Sequence, residues 1–388
     1  MSLHRFPCLI AMLCLSAASR NAHAADITRL WLTHETGDPS KLMVNWETDA
    51  PGPSRVEYGP TEALGESVER AEPVQLHHVS IPFPAEGALY YRVTAGDAQS
   101  AVFPVKSYSG DTLRIAAAAN WYLWPSLDAV LADDPHLLLS CGDMVIDVAS
   151  LESPGAPGYT APFSRLVGLY PDLFARTPFL PALGNHDRQI RYLEDENESP
   201  LYDLEATAFR AFFPLPGDGR YYQFDVPAFG VGLIALDLSH IRDVGTPRQS
   251  CLPLDRASEQ FRWYRDAIRN RHQRFLITYY NESNANVRSA AGGAWETAIR
   301  QGSAALSGFG SFAERAEVKG FPYFNAGLKS GDDYRDRAGS KFFSPDPSYI
   351  LIEIPREGER MTVKLKGLDG TTLDQSEWPG RVRPGNRR

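Results

Sequence analysis

The hydrophobic period of this chain changes once, near residue 107, and that change limits what it can fold into. Before it, short alternating runs (ITRLWLT, KLMVNWET, SRVEYG, HHVSIPF, ALYYRVTA, SAVFPVK) are separated by Gly, Pro, Asp and Asn. Such spacing predicts an all-β sandwich over residues 25–107. After it, strand-like and helix-like patterns alternate. LRIAAAAN and HLLLSCGD read as buried strands, SLDAVLAD as a short helix, and APFSRLVGLYPDLFAR as one amphipathic helix before TPFLPALGNHD. Then come YYQFDV, GVGLIALDLSH, the helix SEQFRWYRDAIRNR, the strand RFLITYYNES, a helix near Trp295 to Gln301, AALSGFGS, and a hairpin-like YILIEIPREGERMTVKLKG. This order predicts an α/β domain over 108–376, with functional loops at the carboxyl ends of its strands. Residues 377–388 read as a basic, frayed tail, and the acidic stretch from Asp187 to Leu204 as a surface loop.

A length of 388 residues exceeds one ordinary core, and 43% hydrophobic with 22% charged residues is the balance of a globular protein. The first 24 residues have a basic start at Arg5, an apolar stretch from about Cys8 to Ala18, and Ala22-His23-Ala24 as a small-x-small cleavage site. They predict a signal peptide and an exported (periplasmic or extracellular) product. The apolar stretch is shorter than the ~20 residues that span a bilayer, so no stable membrane insertion is expected after cleavage. Cleavage removes Arg5 and Arg20 and no acid, which takes the net charge from −9 to −11. That acidity argues against nucleic acid as a partner. Cys8 and Cys14 leave with the leader. Cys141 and Cys251 remain, either as one disulfide or as two separate buried thiols.

Trp46, Tyr90 and Tyr91 read as core and cross-strand aromatics, and the adjacent His77 and His78 must point to opposite faces of their strand. Asn197 and Asn281 head Asn-x-Ser sequons. Two motifs stand at strand ends: Cys141-Gly142-Asp143 and Leu183-Gly184-Asn185-His186-Asp187.

In that order, after a β-rich first domain, these motifs resemble the GD and GNH(D/E) blocks of the calcineurin-like metallophosphoesterases. YYQFDVPAFGVGLIALD and EQFRWYRDAI resemble further segments of that family, and the first domain resembles the β-domain of purple acid phosphatases, a fibronectin III-like sandwich. The similarity covers nearly the whole chain after the leader and implies a two-sheet α/β sandwich. In that family two metals clamp a phosphate and activate a water, held by carboxylate, imidazole and amide ligands from five strand ends. Carried over block by block, the resemblance implies a degenerate site. Asp143 and Asn185 keep ligand types, with His186 beside them on the phosphate side. Asn120 stands for a carboxylate, Ile146 for a tyrosinate, Tyr279 for a histidine, and Phe309 and Ser311 for the last histidine pair. The histidines left after the leader are His34, His77, His78, His136, His186, His240 and His272, and no shift of register gathers a His-rich site from them.

The resemblance therefore implies a catalytically inactive or impaired member with no cofactor. Its former metal cleft, lined by Trp121, Tyr122, Tyr279, Tyr280 and Phe309, is expected to take a small molecule or glycan, or simply to be filled by those rings. The alternative is a phosphoester hydrolase with a rebuilt, reduced site. There Asp143, Asn185, Asp147 and Asp187 offer oxygens to a single divalent cation, and His186 acts as acid or base. A third reading, adhesion through the β-domain, rests on fold analogy. Asp237 and His240 read as structural residues of a strand end and its loop.

Overall fold

The computed structural model describes residues 26–146, 148, 159–191 and 201–381. The expected leader, Asp147, Asn197 and residues 382–388 lie outside them. Six antiparallel-paired strands build the first part: Ile27–Thr33, Lys41–Gly59, Glu66–Pro82, Ala88–Ala95, Ala98–Gln99 and Phe103–Lys106. The runs KLMVNWET and SRVEYG, expected as two strands, form one. Pro51 and Pro53 supply no N–H, and the register against Glu66–Pro82 shifts between Glu47 and Gly52 and again before Ser54. The bulged strand bends there. Its first half pairs with Ile27–Thr33 and its second with Ala88–Ala95.

The second part is an α/β sandwich of two mixed sheets. One runs in the order Thr372–Pro379, Arg360–Gly367, Ser348–Pro355, Thr112–Ala118, Leu137–Ser140, Phe179–Pro181. The other runs Tyr222–Val226, Val231–Ala235, Phe275–Tyr280, Ala304–Ser307, Phe321–Asn325, Ala313–Val318, Ser340–Ser344. Period-2 alternation gives the seven-stranded sheet two buried faces. Leu233, Ile277, Tyr279 and Leu306 join the core shared with Ile115, Leu139 and Leu180 of the first sheet. Ile234, Leu276, Tyr280 and Ala305 lie instead under the helices Glu259–Arg269 and Asn284–Ile299, with Phe261, Tyr264 and Trp295.

The two parts share one apolar cluster. Trp31 stacks on Phe212 with ring centroids 4.1 Å apart, and the Tyr91 hydroxyl donates to the Ala175 carbonyl at 2.7 Å. The single helix expected over APFSRLVGLYPDLFAR is two, Ala161–Leu169 and Pro171–Arg176. Pro171 forces the break by holding Tyr170 out of the helical region, at φ −130° and ψ 55°. The expected frayed tail is also corrected: residues 377–379 complete a strand, and Arg381 donates to the Ile268 carbonyl at 3.0 Å. The expected surface loop after Asp187 begins buried, because Asp187 and Arg188 are fully enclosed and Ile190–Arg191 pairs with Leu201–Tyr202.

Candidate functional site

Five parallel strands end together: Thr112–Ala118, Leu137–Ser140, Phe179–Pro181, Phe275–Tyr280 and Ala304–Ser307. The backbone turns sharply there. Asn120 and Asp143 take left-handed conformations at φ 57° and 53°, a region Asn and Asp tolerate better than other side chains. The loops then approach within contact of one another. Asn120 N–H donates to the Gly142 carbonyl at 3.3 Å, and Trp121 N–H to the Asp143 carbonyl at 3.0 Å. Gly308 permits this closeness, since a Cβ there would overlap the Cys141 carbonyl oxygen and the Ala119 side chain. Two carboxamides stitch the strand ends. Asn120 Nδ2 donates to the carbonyls of Gly310 at 2.5 Å and Gly308 at 3.3 Å; Asn281 Nδ2 donates to those of Cys141 at 2.9 Å and Gly308 at 3.3 Å.

Asp187 supports the floor. Its carboxylate accepts three backbone N–H groups, from Asp143 at 2.8 Å, Met144 at 2.7 Å and Gly184 at 2.8 Å, which joins the two Gly-bearing loops. Burial and the nearby Asp143 carboxylate push its pKa up to about 7, against the pull of those N–H donors. Burial also raises Asp143, whose Oδ1 accepts the His186 N–H at 3.4 Å. Beneath lies a fully enclosed ion pair between Arg188 Nη2 and Asp237 Oδ1; Arg188 also donates to the Leu204 carbonyl at 2.9 Å. Asp237 is thus part of the support for the site loops. Sequence reasoning gave Arg188 no role, since an arginine beside acids reads as surface.

Asp143, Asn185 and Gly308 lie at neighbouring strand ends, as expected. His186 is half-exposed, with Nδ1 donating to the Ile146 carbonyl at 2.5 Å and its ring 6.0 Å from that of Tyr122. Ile146 contributes that carbonyl while its side chain is exposed. Ser311 is buried; Phe309 stands 5.5 Å from the exposed Tyr334. The aromatic cleft lining is corrected. Trp121 packs into the core against Phe174 and Phe179 and donates from Nε1 to Ser140 Oγ at 3.0 Å. Tyr279 is enclosed between the sheets, its hydroxyl 3.0 Å from that of Tyr222, and Tyr280 lies on the opposite face, bonded to Asn284 at 2.9 Å. Tyr279 is therefore not the strand-end residue. Asn281 is, because the buried strand runs through Tyr280 and the first residue beyond it turns into the site. That same Asn281 is 2% exposed, which closes its sequon to a glycan in the folded chain. His240 is exposed at φ 46°. Cys141 and Cys251 are both buried free thiols, so the disulfide expectation gives way to separate thiols.

The donor set fits a metal pair poorly. Asp187 spends both oxygens on backbone N–H groups, Asn120 and Asn281 bond carbonyls through their NH2 ends and so offer a cation only neutral amide oxygens, and His186, whose Nδ1 donates to Ile146, offers Nε2 alone. Among the described residues no three His, Cys, Asp or Glu side chains gather as a metal-holding group. Asp143 is, among the described residues, the one carboxylate there not committed to several backbone donors.

Solved structures similar to this chain include a purple acid phosphatase from yellow lupin (Lupinus luteus) seeds, with a TM-score of 0.68, 13% identity, and 91% of this chain and 74% of that chain covered. A structure of PhoD gives a TM-score of 0.64 at 11% identity, covering 90% of this chain and 88% of that one. No protein-family model and no curated protein matches the sequence. The chain has a metallophosphoesterase-like fold.

Proposed function

We infer that this chain is an exported, non-catalytic protein that keeps a phosphoesterase scaffold, and that its strand-end cluster, held together by buried amides, is a binding surface in place of a two-metal centre. The observation that carries the reading is the orientation of Asn120 and Asn281. Each bonds backbone carbonyls through its NH2 group and leaves only a neutral amide oxygen where the resemblance calls for a carboxylate or an imidazole. Uncatalysed phosphate-monoester hydrolysis is so slow that a site without metals must recover on the order of 20 kcal/mol from positioning and hydrogen bonds. His186 and Asp143 do not supply that. What remains half-exposed is polar and carries both signs of charge: Tyr122, with Lys329 Nζ 5.7 Å from its ring centroid, His186, Asp143 and Phe309. Such a surface suits a small polar molecule or a glycan, and the acidic chain disfavours nucleic acid.

The test is metal analysis of the purified protein beside hydrolysis of p-nitrophenyl phosphate and bis(p-nitrophenyl) phosphate. We expect well under one equivalent of iron, zinc or manganese, no metal-dependent turnover, and no effect of Asp143→Ala or His186→Ala beyond folding. Two transition ions per chain, or turnover that Asp143→Ala abolishes in a folded protein, overturns the reading. One equivalent of Mg²⁺ or Ca²⁺ with such turnover selects the rebuilt single-cation enzyme instead. Export rests on residues 1–24, and cell fractionation with mass analysis of the N-terminus checks it.

A further inference from the structure

A second site lies on the edge strand Tyr222–Val226, where two aromatic side chains are left over from the packing of their own elements. In the helix Glu259–Arg269 the buried residues are Gln260, Phe261, Tyr264 and Ile268, a stripe at helical spacing that leaves Trp263 half-exposed on its flank. Along the strand Tyr222, Phe224 and Val226 face the core, so Tyr221 is turned to the other side. Tyr221 and Trp263 meet edge to face, with centroids 4.8 Å apart and planes at 62°. They wall a cavity of about 390 Å³ that Asp218, Gln223, Glu259 and Gly37 complete. That volume lies within the range of small-molecule pockets.

The polar side of the cavity carries two carboxylates, Asp218 and Glu259, beside Gln223, whose Oε1 accepts from Arg271 at 3.1 Å. Asp218 is held by Arg220 at 2.7 Å, while Glu205 meets Arg220 at 3.1 Å and Arg210 at 3.5 Å, so these charges balance. Glu259 is left over. It is exposed, and among the described residues it meets only the Tyr221 hydroxyl, at a long 3.4 Å. A ligand that fits must lay a C–H-rich face against an aromatic ring and donate hydrogen bonds to a carboxylate. We propose that this groove is a saccharide-binding site, with a pyranose ring packed on Trp263 and its hydroxyls donating to Glu259. An organic cation would also meet Glu259. However, Tyr221 and Trp263 are set edge to face and do not form the cage of faces that cation recognition uses. The groove opens at the same end of the sheet as the amide cluster, since Tyr222 pairs with Ala235 and Ala235 with Tyr279, yet it uses none of that cluster's residues. It therefore stands or falls separately from the proposed function.

The experiment is saturation-transfer NMR and calorimetric titration of the full chain with cellobiose, maltose and N,N′-diacetylchitobiose, and with tetramethylammonium as the cation probe. At least one disaccharide should bind in the millimolar range, with Trp263→Ala and Glu259→Gln each weakening it roughly tenfold or more, the loss of a charge-assisted hydrogen bond or of ring contact. Trp263→Phe should retain most of the affinity. Unchanged thermal unfolding of Glu259→Gln, whose side chain is exposed, separates lost binding from lost folding. The proposal is overturned if no disaccharide binds at about 20 mM, a concentration that detects even weak complexes. It is equally overturned if binding survives both substitutions, or if tetramethylammonium binds through Trp263 while no sugar does.

Discussion

His34 sets a limit on how acidic the surroundings of this protein can become. It follows the first strand, is wholly buried, and lies 4.4 Å from the Phe224 ring and 6.1 Å from that of Phe83. Its Nδ1 donates to the Lys41 carbonyl at 2.6 Å, which leaves Nε2 to accept from the Tyr108 hydroxyl at 2.7 Å. Burial lowers its pKa from 6.5 to about 4, outweighing the Lys41 carbonyl and Asp38, which pull the other way. The unfolded chain binds a proton below about 6.5 that the folded chain refuses until about 4. Stability is therefore present above the unfolded pKa and is lost as pH falls through that window. At 1.36 kcal/mol per unit, the loss between pH 7 and pH 4.5 is roughly 2.5 kcal/mol. His34→Gln keeps a donor for the Lys41 carbonyl and an acceptor for Tyr108 but does not titrate. Urea unfolding of both proteins at pH 7, 5.5 and 4.5 reads the difference, and the shared apolar cluster makes one cooperative transition the expectation. His77, His78 and His136 are also lowered to about 4 by burial, and they cancel because both proteins carry them. The variant should lose roughly 2 to 3 kcal/mol less than wild type over this range. Parallel pH profiles would refute the reasoning, for they would mean that the ring titrates alike in the folded and unfolded chain.

Removing either member of the enclosed Arg188–Asp237 pair, by Arg188→Ala or Asp237→Ala, should cost about 3–5 kcal/mol in urea unfolding, because the partner charge is left buried. The double substitution Arg188→Met with Asp237→Leu should cost less than either single one. Asp187→Asn directs an NH2 at one of three backbone N–H donors and should lose about 1–3 kcal/mol at pH 7. Because burial raises its pKa from 3.8 to about 7, the stability the native acid contributes is full below about 4 and is lost as pH rises to 7, so the substitution should cost more at pH 5 than at pH 8. Asn120→Asp, which restores a carboxylate, should destabilise the metal-free chain by roughly 2 kcal/mol or more, since oxygen then faces the carbonyls of Gly308 and Gly310. Thermal unfolding with and without Mn²⁺ checks whether a cation offsets that loss.

The strand ends carrying Asp143, Asn185 and His186 are legible in the sequence because a glycine precedes the polar residue in each motif, and the close approach of the loops demands it there. The end of the strand Phe275–Tyr280 is not. Tyr279 and Tyr280 are both buried, one on each face of a two-sided sheet, so alternation gives no sign of where the strand stops, and the polar residue that matters is the next one, Asn281. Trp121 is illegible for a related reason. A large aromatic beside a strand end fits a cleft or a core equally well, and the choice depends on Tyr170, Phe174 and Phe179 from distant segments. Asp187 and Arg188 look like the start of an acidic surface run, and only the backbone donors around Asp187 and the distant Asp237 explain their burial.

The amides also give a physical account of how these strand ends hold together. Five loops meeting at one point expose carbonyl oxygens that no sheet ladder satisfies, and buried carbonyls left alone cost free energy. A metal centre organises such loops through negative ligands. Here the carbonyls of Cys141, Gly308 and Gly310 are met by Nδ2 donors of Asn281 and Asn120. A carboxylate could not take that part, having no proton to donate at neutral pH. A neutral amide, a weaker metal ligand than a carboxylate, is thus the residue type that satisfies the carbonyls of this turn.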